Sequence, residues 1–180
     1  MSFLCWVSSP LMYRTTVLCT GIFPLFQSQV DYLGHLISAS GVRTNASKVK
    51  AILAVPEPKT VSELKTFLGL ISYYSRFVPD RAFILAPLYD LLGKNAVWRW
   101  GSKERDSFNK VKEKLAANTL LVYYDNTKQL VLTCDASSVG VGAVLSQIDD
   151  AGRGMPIAFA SRRLSLSESR YAQIEREGRP

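Results

Sequence analysis

Apolar residues recur three and four positions apart over two stretches in the middle of the chain. The first stretch forms one stripe: Val61, Leu64, Phe67, Leu68, Ile71 and Tyr74. This spacing is typical of an amphipathic helix, and Thr60 and Glu63 in front of it predict a capping box. Pro79 should close the helix. The second stretch, with Phe108 and Leu115 on one face, predicts another helix capped by Ser102.

Two further helices are predicted on either side of the first one. Asn45 should cap a helix that runs through Ile52 and ends before Pro56. Residues 82–92 are expected to form one continuous helix that ends before Gly93. The middle of the chain is therefore predicted to be helical.

Strand patterns flank this helical part. Residues 30–43 predict a strand, a turn centred on Gly41 and a short second strand. After residue 120, three more strands are predicted by apolar or glycine-punctuated runs: 130–134, 139–146 and 156–161. Ser167 should then cap a final helix. The predicted fold class is α+β, and an incomplete sheet would leave an edge strand and an apolar face uncovered.

The net charge is concentrated in the predicted helical part. The 180 residues carry 22 Lys and Arg against 15 Asp and Glu, a formal net charge of +7. Residues 43–114 hold 14 of the bases and 7 of the acids, and the charges of the remaining chain cancel. Such a segment favours a polyanionic partner. The outer face of the last helix is predicted to carry Lys103, Lys110, Lys112 and Lys114.

The composition excludes several classes of protein. Three scattered cysteines exclude a disulfide framework and indicate a reducing compartment, the cytoplasm or nucleus. A single histidine and the absence of a Cys-x-x-Cys pair argue against zinc chemistry. Residues 1–28 have no basic start and no long apolar run, so we expect neither a signal peptide nor a membrane anchor there.

Several short motifs follow one another along residues 29–178. They are Val30-Asp31-Tyr32-Leu33-Gly34-His35-Leu36-Ile37-Ser38 with Gly41; Phe67-Leu68-Gly69-Leu70, Tyr73-Tyr74, Arg76-Phe77-Val78-Pro79 and Ala86-Pro87-Leu88; Trp98, Trp100, Phe108, Lys112 and Leu115; and Asp135-Ala136-Ser137, Gly140, Gly142-Ala143-Val144-Leu145, Pro156-Ile157-Ala158-Phe159-Ala160-Ser161-Arg162 and Tyr171. In this order they resemble the Pol polyprotein of gypsy-type LTR retrotransposons, from the end of the reverse transcriptase palm through the helical thumb and the connection to the start of the ribonuclease H domain.

The resemblance implies a division of the chain into five parts. These are an unassigned leader (1–28), a palm-end hairpin (29–43), the thumb (44–94), the connection (95–128) and the N-terminal part of a ribonuclease H-like domain with a mixed sheet and helices (129–180). Both ends depart from the family pattern, so we expect a truncated fragment. The implied partners are a template–primer duplex or RNA–DNA hybrid and the rest of the Pol polyprotein, without a membrane.

The family activity, RNA-directed DNA synthesis, requires two adjacent aspartates in the palm, and none precede residue 30. Tyr123-Tyr124-Asp125-Asn126 offers one carboxylate and is better explained as a turn. Asp149-Asp150 is a pair, but it falls in a predicted hairpin loop. We therefore expect this chain to be unable to polymerise by itself.

The family's second activity, cleavage of the RNA strand of a hybrid, uses two Mg²⁺ or Mn²⁺ ions held by carboxylates. The resemblance implies that Asp135 is the first catalytic metal ligand and Glu177 the second, while Glu175 is better explained as a solvated residue. The further ligands lie beyond residue 180 in the family. Full hydrolase activity is not expected, and tight metal binding is not expected either.

Nucleic-acid binding is the role that the resemblance leaves to this chain, because the family's thumb lies against the template–primer duplex. The candidate contact residues are Leu33, Gly34, His35, Lys48, Lys50, Lys65, Arg76 and Arg81. Each basic residue is better explained as solvated, while His35 is equally well explained as a strand residue without a chemical role. Gly34 and Gly69 should allow close backbone approach. Two alternatives stay open: a nuclease completed by a partner chain, and a non-catalytic remnant with a structural or interaction role.

Overall fold

The computed structural model describes residues 27–165, except Asn95 and Ser138, together with Glu168. The elements are β1 Gln29–Tyr32, β2 His35–Ser38, β3 Gly41–Thr44, α1 Ala46–Leu53, α2 Val61–Tyr73, a 3₁₀ turn Ser75–Phe77, α3 Arg81–Ile84, α4 Ala86–Asp90, α5 Ser102–Ala116, β4 Leu130–Ala136, β5 Gly140–Ile148 and β6 Gly154–Arg163. The strands form two three-stranded antiparallel sheets, β1-β2-β3 and β4-β5-β6. The α+β fold class is confirmed.

The first sheet has one strand more than the sequence predicted. Leu33 and Gly34 both have positive φ, at 48° and 75°, and form a tight two-residue turn between β1 and β2. Such turns match the twist of the flanking strands. The sequence did not reveal this turn because leucine rarely adopts a left-handed conformation. Gly41 opens β3 instead of lying at the centre of a turn.

The predicted helix caps are largely confirmed. The Asn45 side chain accepts a hydrogen bond from the Ser47 amide at 2.7 Å and hydrogen-bonds Asp31 of β1. Thr60 Oγ1 accepts a hydrogen bond from the Glu63 backbone N–H at 3.2 Å, and the Glu63 carboxylate accepts one from the Lys59 backbone N–H at 2.7 Å. Each cap fixes where a helix begins.

Two helix predictions were wrong. The helix predicted over residues 82–92 is two short helices, α3 and α4, which meet at Leu85. Pro87 explains the break, since its ring clashes with the carbonyl four residues earlier and it has no N–H to donate. The cap of α5 is Gly101, one residue before the predicted Ser102.

The core lies between α2, α5 and the short helices. The stripe of α2 is buried as predicted, except Val61, which is 37% exposed. Phe67 of α2 and Phe108 of α5 are almost fully buried, with ring centroids 4.5 Å apart. Such a pair stabilises the core by about 0.5–1.5 kcal/mol beyond the apolar area that it buries.

A cluster of polar contacts joins the proline-rich linker after α1 to α5. Glu57 accepts hydrogen bonds from Arg105 Nε at 2.9 Å and Trp100 Nε1 at 2.7 Å, and these hold the pKa of its carboxyl below the usual value. Lys112 Nζ donates to the carbonyls of Leu53 and Val55 at 2.9 and 2.5 Å, and burial lowers its pKa. Lys112 was predicted to be an outer-face cation, and that prediction was wrong.

The second sheet exposes one strand and one face. Leu130, Leu132 and Cys134 alternate along β4 and are exposed, Leu132 by 62%. β4 pairs only with β5 among the described residues. The prediction of an uncovered edge strand and apolar face is therefore confirmed for the described part of this sheet. No helix in the described segments is long and apolar enough to cross a membrane.

Candidate nucleic-acid interface

The turn between β1 and β2 is held against the C-terminal end of α2. Tyr73 donates its hydroxyl hydrogen to the Leu33 carbonyl at 2.5 Å, and His35 Nδ1 lies 3.0 Å from the same oxygen. The Tyr74 hydroxyl donates to the Gly34 carbonyl at 3.5 Å, and the Asn45 amide donates to that carbonyl at 3.0 Å. Both turn carbonyls are thus occupied, so the turn has a fixed position.

The His35 ring lies among three aromatic rings. Its centroid is 5.4 Å from those of Tyr73 and Phe77 and 5.6 Å from that of Tyr74. Burial raises the pKa of the Tyr74 hydroxyl above its ordinary value. The half-buried His35 ring therefore has a packing role in the strand, and contact with a primer stays a prediction.

The two glycines that were predicted to allow close backbone approach, Gly34 and Gly69, lie in different surroundings. Gly34 has a φ of +75°, and a Cβ there would lie 2.8 Å from the Tyr74 hydroxyl oxygen and 3.6 Å from Lys48 Cγ. The close approach at Gly34 is thus to the protein itself. Apart from the chain neighbours and the backbone of α2 itself, no described atom lies within 4 Å of the position a Gly69 Cβ would take. Gly69 is exposed in the middle of α2, and no contact within the described residues accounts for it.

One exposed row of α2 leads to the turn. Lys65, Gly69 and Tyr73 are spaced four residues apart and are all exposed, Tyr73 by 52%. Arg76 follows in the 3₁₀ turn, also exposed. We define the hairpin–α2 surface as the residues Leu33, Gly34, His35, Lys48, Lys65, Gly69, Tyr73 and Arg76.

The two remaining predicted contact residues lie elsewhere. Arg81 Nη1 donates to Ser72 Oγ at 3.3 Å and to the Tyr89 hydroxyl at 3.4 Å, so its guanidinium is engaged within the protein. Lys50 is exposed two residues after Lys48, which places it about 200° around the axis of α1. A role for either in nucleic-acid contact stays a prediction.

Tyr73 was not among the predicted site residues. It lies one position before Tyr74 and falls off the buried stripe of α2. An aromatic residue outside the apolar stripe of a helix is the signal that would have identified it, since core packing does not require it there.

Asp135 lies in β4 and is exposed, with Gly142 of β5 as its pairing partner. Glu177 and Glu175 fall outside the described residues. Within residues 27–165, apart from the two gaps, and Glu168, no group of three or more His, Cys, Asp or Glu side chains could hold a metal ion. The described residues thus supply one of the expected ligands for Mg²⁺ or Mn²⁺ and do not assemble a metal site.

The two aspartate motifs that resemble a polymerase site are both loops. Asp125 Oδ1 accepts hydrogen bonds from the amide and hydroxyl of Thr127 at 3.0 and 2.7 Å, which hold the pKa of Asp125 below its usual value. Asp149 accepts from the Arg153 amide at 2.8 Å and pairs with its guanidinium at 2.8 Å, and its pKa is lowered as well. The turn and hairpin-loop interpretations are confirmed.

Residues 100–179 match the model of the RNase H-like domain found in reverse transcriptase. The chain is 42% identical over 161 residues to the retrovirus-related Pol polyprotein from transposon opus of Drosophila melanogaster, covering 83% of this chain and 16% of that protein. It is 41% identical to the Pol polyprotein from transposon gypsy of the same organism, covering 84% and 15%. The transposon Tf2-3 polyprotein of Schizosaccharomyces pombe is 32% identical, and the match covers 84% of this chain and 11% of that protein.

Solved structures with a similar fold come from a foamy virus. The protease-reverse transcriptase in complex with dsDNA has a TM-score of 0.70 and 26% identity, covering 84% of this chain and 32% of that one. The same kind of protein in complex with an RNA/DNA hybrid has a TM-score of 0.69 and 26% identity, covering 83% of this chain and 20% of that one.

The chain spans about a sixth or less of the length of the curated Pol polyproteins that it matches.

Proposed function

We propose that this chain binds a template–primer duplex on the hairpin–α2 surface. The chain belongs with the Pol polyproteins of gypsy-type retrotransposons and carries sequence of the RNase H-like domain found in reverse transcriptase. The observation that carries the proposal is the β1–β2 turn, which is exposed at Leu33 and fixed by Tyr73 and His35 beside the exposed row of α2 that begins with Lys65. A rigid turn loses little conformational entropy when it meets a partner.

Three cations make the hairpin–α2 surface suitable for a phosphate backbone. Lys48, Lys65 and Arg76 are exposed, and none of them forms an ion pair with another described residue. Each can neutralise a phosphate and release a condensed counterion. The foamy-virus relatives of similar fold are described in complex with dsDNA and with an RNA/DNA hybrid, which supports a duplex as the partner.

Gly69 adds a second argument from the same face of α2. A glycine in the middle of an exposed helix costs about 1 kcal/mol relative to alanine, and no described contact offsets that cost. A single position without a side chain lets a partner approach the helix backbone at that point. The glycine is therefore explained by a partner that lies along Lys65, Gly69 and Tyr73.

Binding should be strongly salt-dependent. With three phosphate contacts, the affinity for an RNA–DNA hybrid is expected to fall about 40-fold between about 50 mM and about 200 mM salt. Fluorescence anisotropy of a labelled hybrid, titrated with the whole chain at several salt concentrations, measures this. If no binding is detected at low salt, the duplex-binding role is wrong and a structural or interaction role is favoured.

Replacing Gly69 by alanine should raise stability and weaken binding at the same time. The free energy of unfolding is expected to rise by about 0.5–1 kcal/mol because the helix interior gains an alanine with open space around it. Affinity for the hybrid is expected to fall about fivefold, or about 1 kcal/mol, because the methyl group holds the duplex away. Thermal melts and anisotropy measure the two effects. A more stable variant with unchanged affinity would show that α2 does not face the duplex at this residue.

A further inference from the structure

A groove apart from the hairpin–α2 surface lies between α4, the segment that leads from α4 into α5, and the second sheet. Its volume is about 540 Å³, which falls in the usual range of ligand sites. None of the residues that line it belongs to the hairpin–α2 surface. The lining residues include Pro87, Leu91, Val97, Arg99, Lys103 and Val139.

The segment in front of α5 presents one apolar and one basic side chain to the groove. Trp98 and Trp100 are half-buried against the core, and their stacked rings have centroids 6.0 Å apart. The Trp100 ring also packs on the buried Phe108 ring, with centroids 5.9 Å apart. Val97 and Arg99 alternate with the two tryptophans and are exposed, Val97 by 71%. The anchored tryptophans hold Val97 in place, and a preformed apolar surface binds with a smaller loss of conformational entropy.

The opposite wall of the groove is held in place as well. Arg163 of β6 pairs with Asp90 of α4 at 2.8 Å, and the Leu164 backbone N–H donates to the Val139 carbonyl at 3.0 Å. Val139 is 38% exposed and lines the groove together with Pro87. Exposed apolar side chains surrounded by charged ones are typical of a site that binds another protein.

The charges around the groove favour an acidic ligand. Arg99 and Lys103 are exposed, and neither forms an ion pair with another described residue. Of the two carboxylates in the lining, Asp90 is in the ion pair described above, and Glu104 accepts a hydrogen bond from the Gly101 N–H at 2.9 Å. Among the described lining residues, two cations therefore remain available to the carboxylates of a ligand.

A peptide suits this combination better than a phosphate backbone does. A run of phosphates has no apolar group to place on Val97 and Val139, and it would meet the two carboxylates of the lining. A peptide can carry one apolar side chain between acidic ones. We propose that the groove docks a short acidic peptide segment of another protein. The apolar anchor residue of this segment packs on Val97 and Val139, while its carboxylates pair with Arg99 and Lys103.

Fluorescence anisotropy of a labelled peptide tests this docking site. The probe is a decapeptide in which two leucines alternate with glutamates, titrated with the whole chain at low salt. Val97→Ser removes the apolar contact at an exposed position, and the affinity is expected to fall about tenfold. The double variant Arg99→Glu, Lys103→Glu is expected to lower the affinity about tenfold or more, because two attractive charges become repulsive. Thermal melts check that each variant is folded.

A second double variant separates the groove from a general effect of charge. Lys110→Glu, Lys114→Glu reverses two exposed lysines of α5 that do not line the groove. Each reversal changes the net charge by two units, so both double variants move from +7 to +3. The control is expected to keep most of its affinity for the peptide. Equal losses in the two double variants would overturn the proposal.

Three further results would also overturn it: no binding of the probe to the parent chain, an unchanged affinity in Val97→Ser, and equal binding of a peptide that has lysine in place of every glutamate. Displacement of the probe by an RNA–DNA hybrid would assign the groove to the duplex instead. Self-association of the chain that Val97→Ser abolishes would assign the groove to a second copy.

Discussion

Replacing Gly41 by alanine is expected to lower the free energy of unfolding by about 3 kcal/mol. Gly41 has a φ of +139°, and a Cβ there would overlap the Leu121 carbonyl oxygen. Val42 and Leu121 exchange two backbone hydrogen bonds of 2.8 and 2.9 Å, which join the first sheet to the segment after α5. Alanine must strain the backbone and separate these two segments, so both hydrogen bonds are lost.

Thermal unfolding followed by circular dichroism measures this effect. A loss of about 3 kcal/mol corresponds to a melting temperature lower by about 9 °C in a chain of this size. Gly154→Ala is the matched control, because its φ is not positive and nothing described lies near the added methyl group. Equal melting temperatures for the two variants would contradict the role of Gly41.

Elements set by local physics could be predicted from the sequence. The Thr60 cap and the apolar stripe that follows it are short-range patterns, and both are present, although Glu63 reaches back to the N–H of Lys59 and not to that of Thr60. The three strands after residue 120 were predicted correctly for the same reason, since alternation and turn residues lie within a few positions of one another.

Elements set by tertiary contacts could not be predicted. Leu33 takes a left-handed conformation, and its carbonyl is held by the Tyr73 hydroxyl, forty residues further along the chain, so this contact needs the folded chain. Lys112 is drawn inward by carbonyls nearly sixty residues away. The half-buried position of Lys112 therefore could not be predicted from the pattern of its own helix.

The candidate site shows the same division. The basic character of the middle segment was evident from composition, and it led to Lys48, Lys65 and Arg76. The sequence could not separate these exposed cations from Arg81, which points into hydrogen bonds with Ser72 and Tyr89. Charge identifies the candidates, and only packing shows which of them are available to a ligand.

Reversing the three exposed cations of the hairpin–α2 surface should nearly abolish duplex binding. In the triple variant Lys48→Glu, Lys65→Glu, Arg76→Glu, three phosphate contacts are lost. Counterion release then predicts an affinity for the RNA–DNA hybrid about three orders of magnitude lower at about 50 mM salt. The slope of log affinity against log salt should fall by about 2.7. Anisotropy titrations over a range of salt concentrations measure both quantities.

A second triple variant separates a specific surface from a general effect of charge. Lys103→Glu, Lys110→Glu, Lys114→Glu reverses three exposed lysines of α5. Each reversal changes the net charge by two units, so both triple variants move from +7 to +1. If the duplex lies on the hairpin–α2 surface, the α5 variant keeps most of its affinity, because Lys103, Lys110 and Lys114 do not contact the phosphates of the duplex. Equal losses would mean that net charge alone attracts the duplex, and a normal affinity in the first variant would place the duplex on another surface.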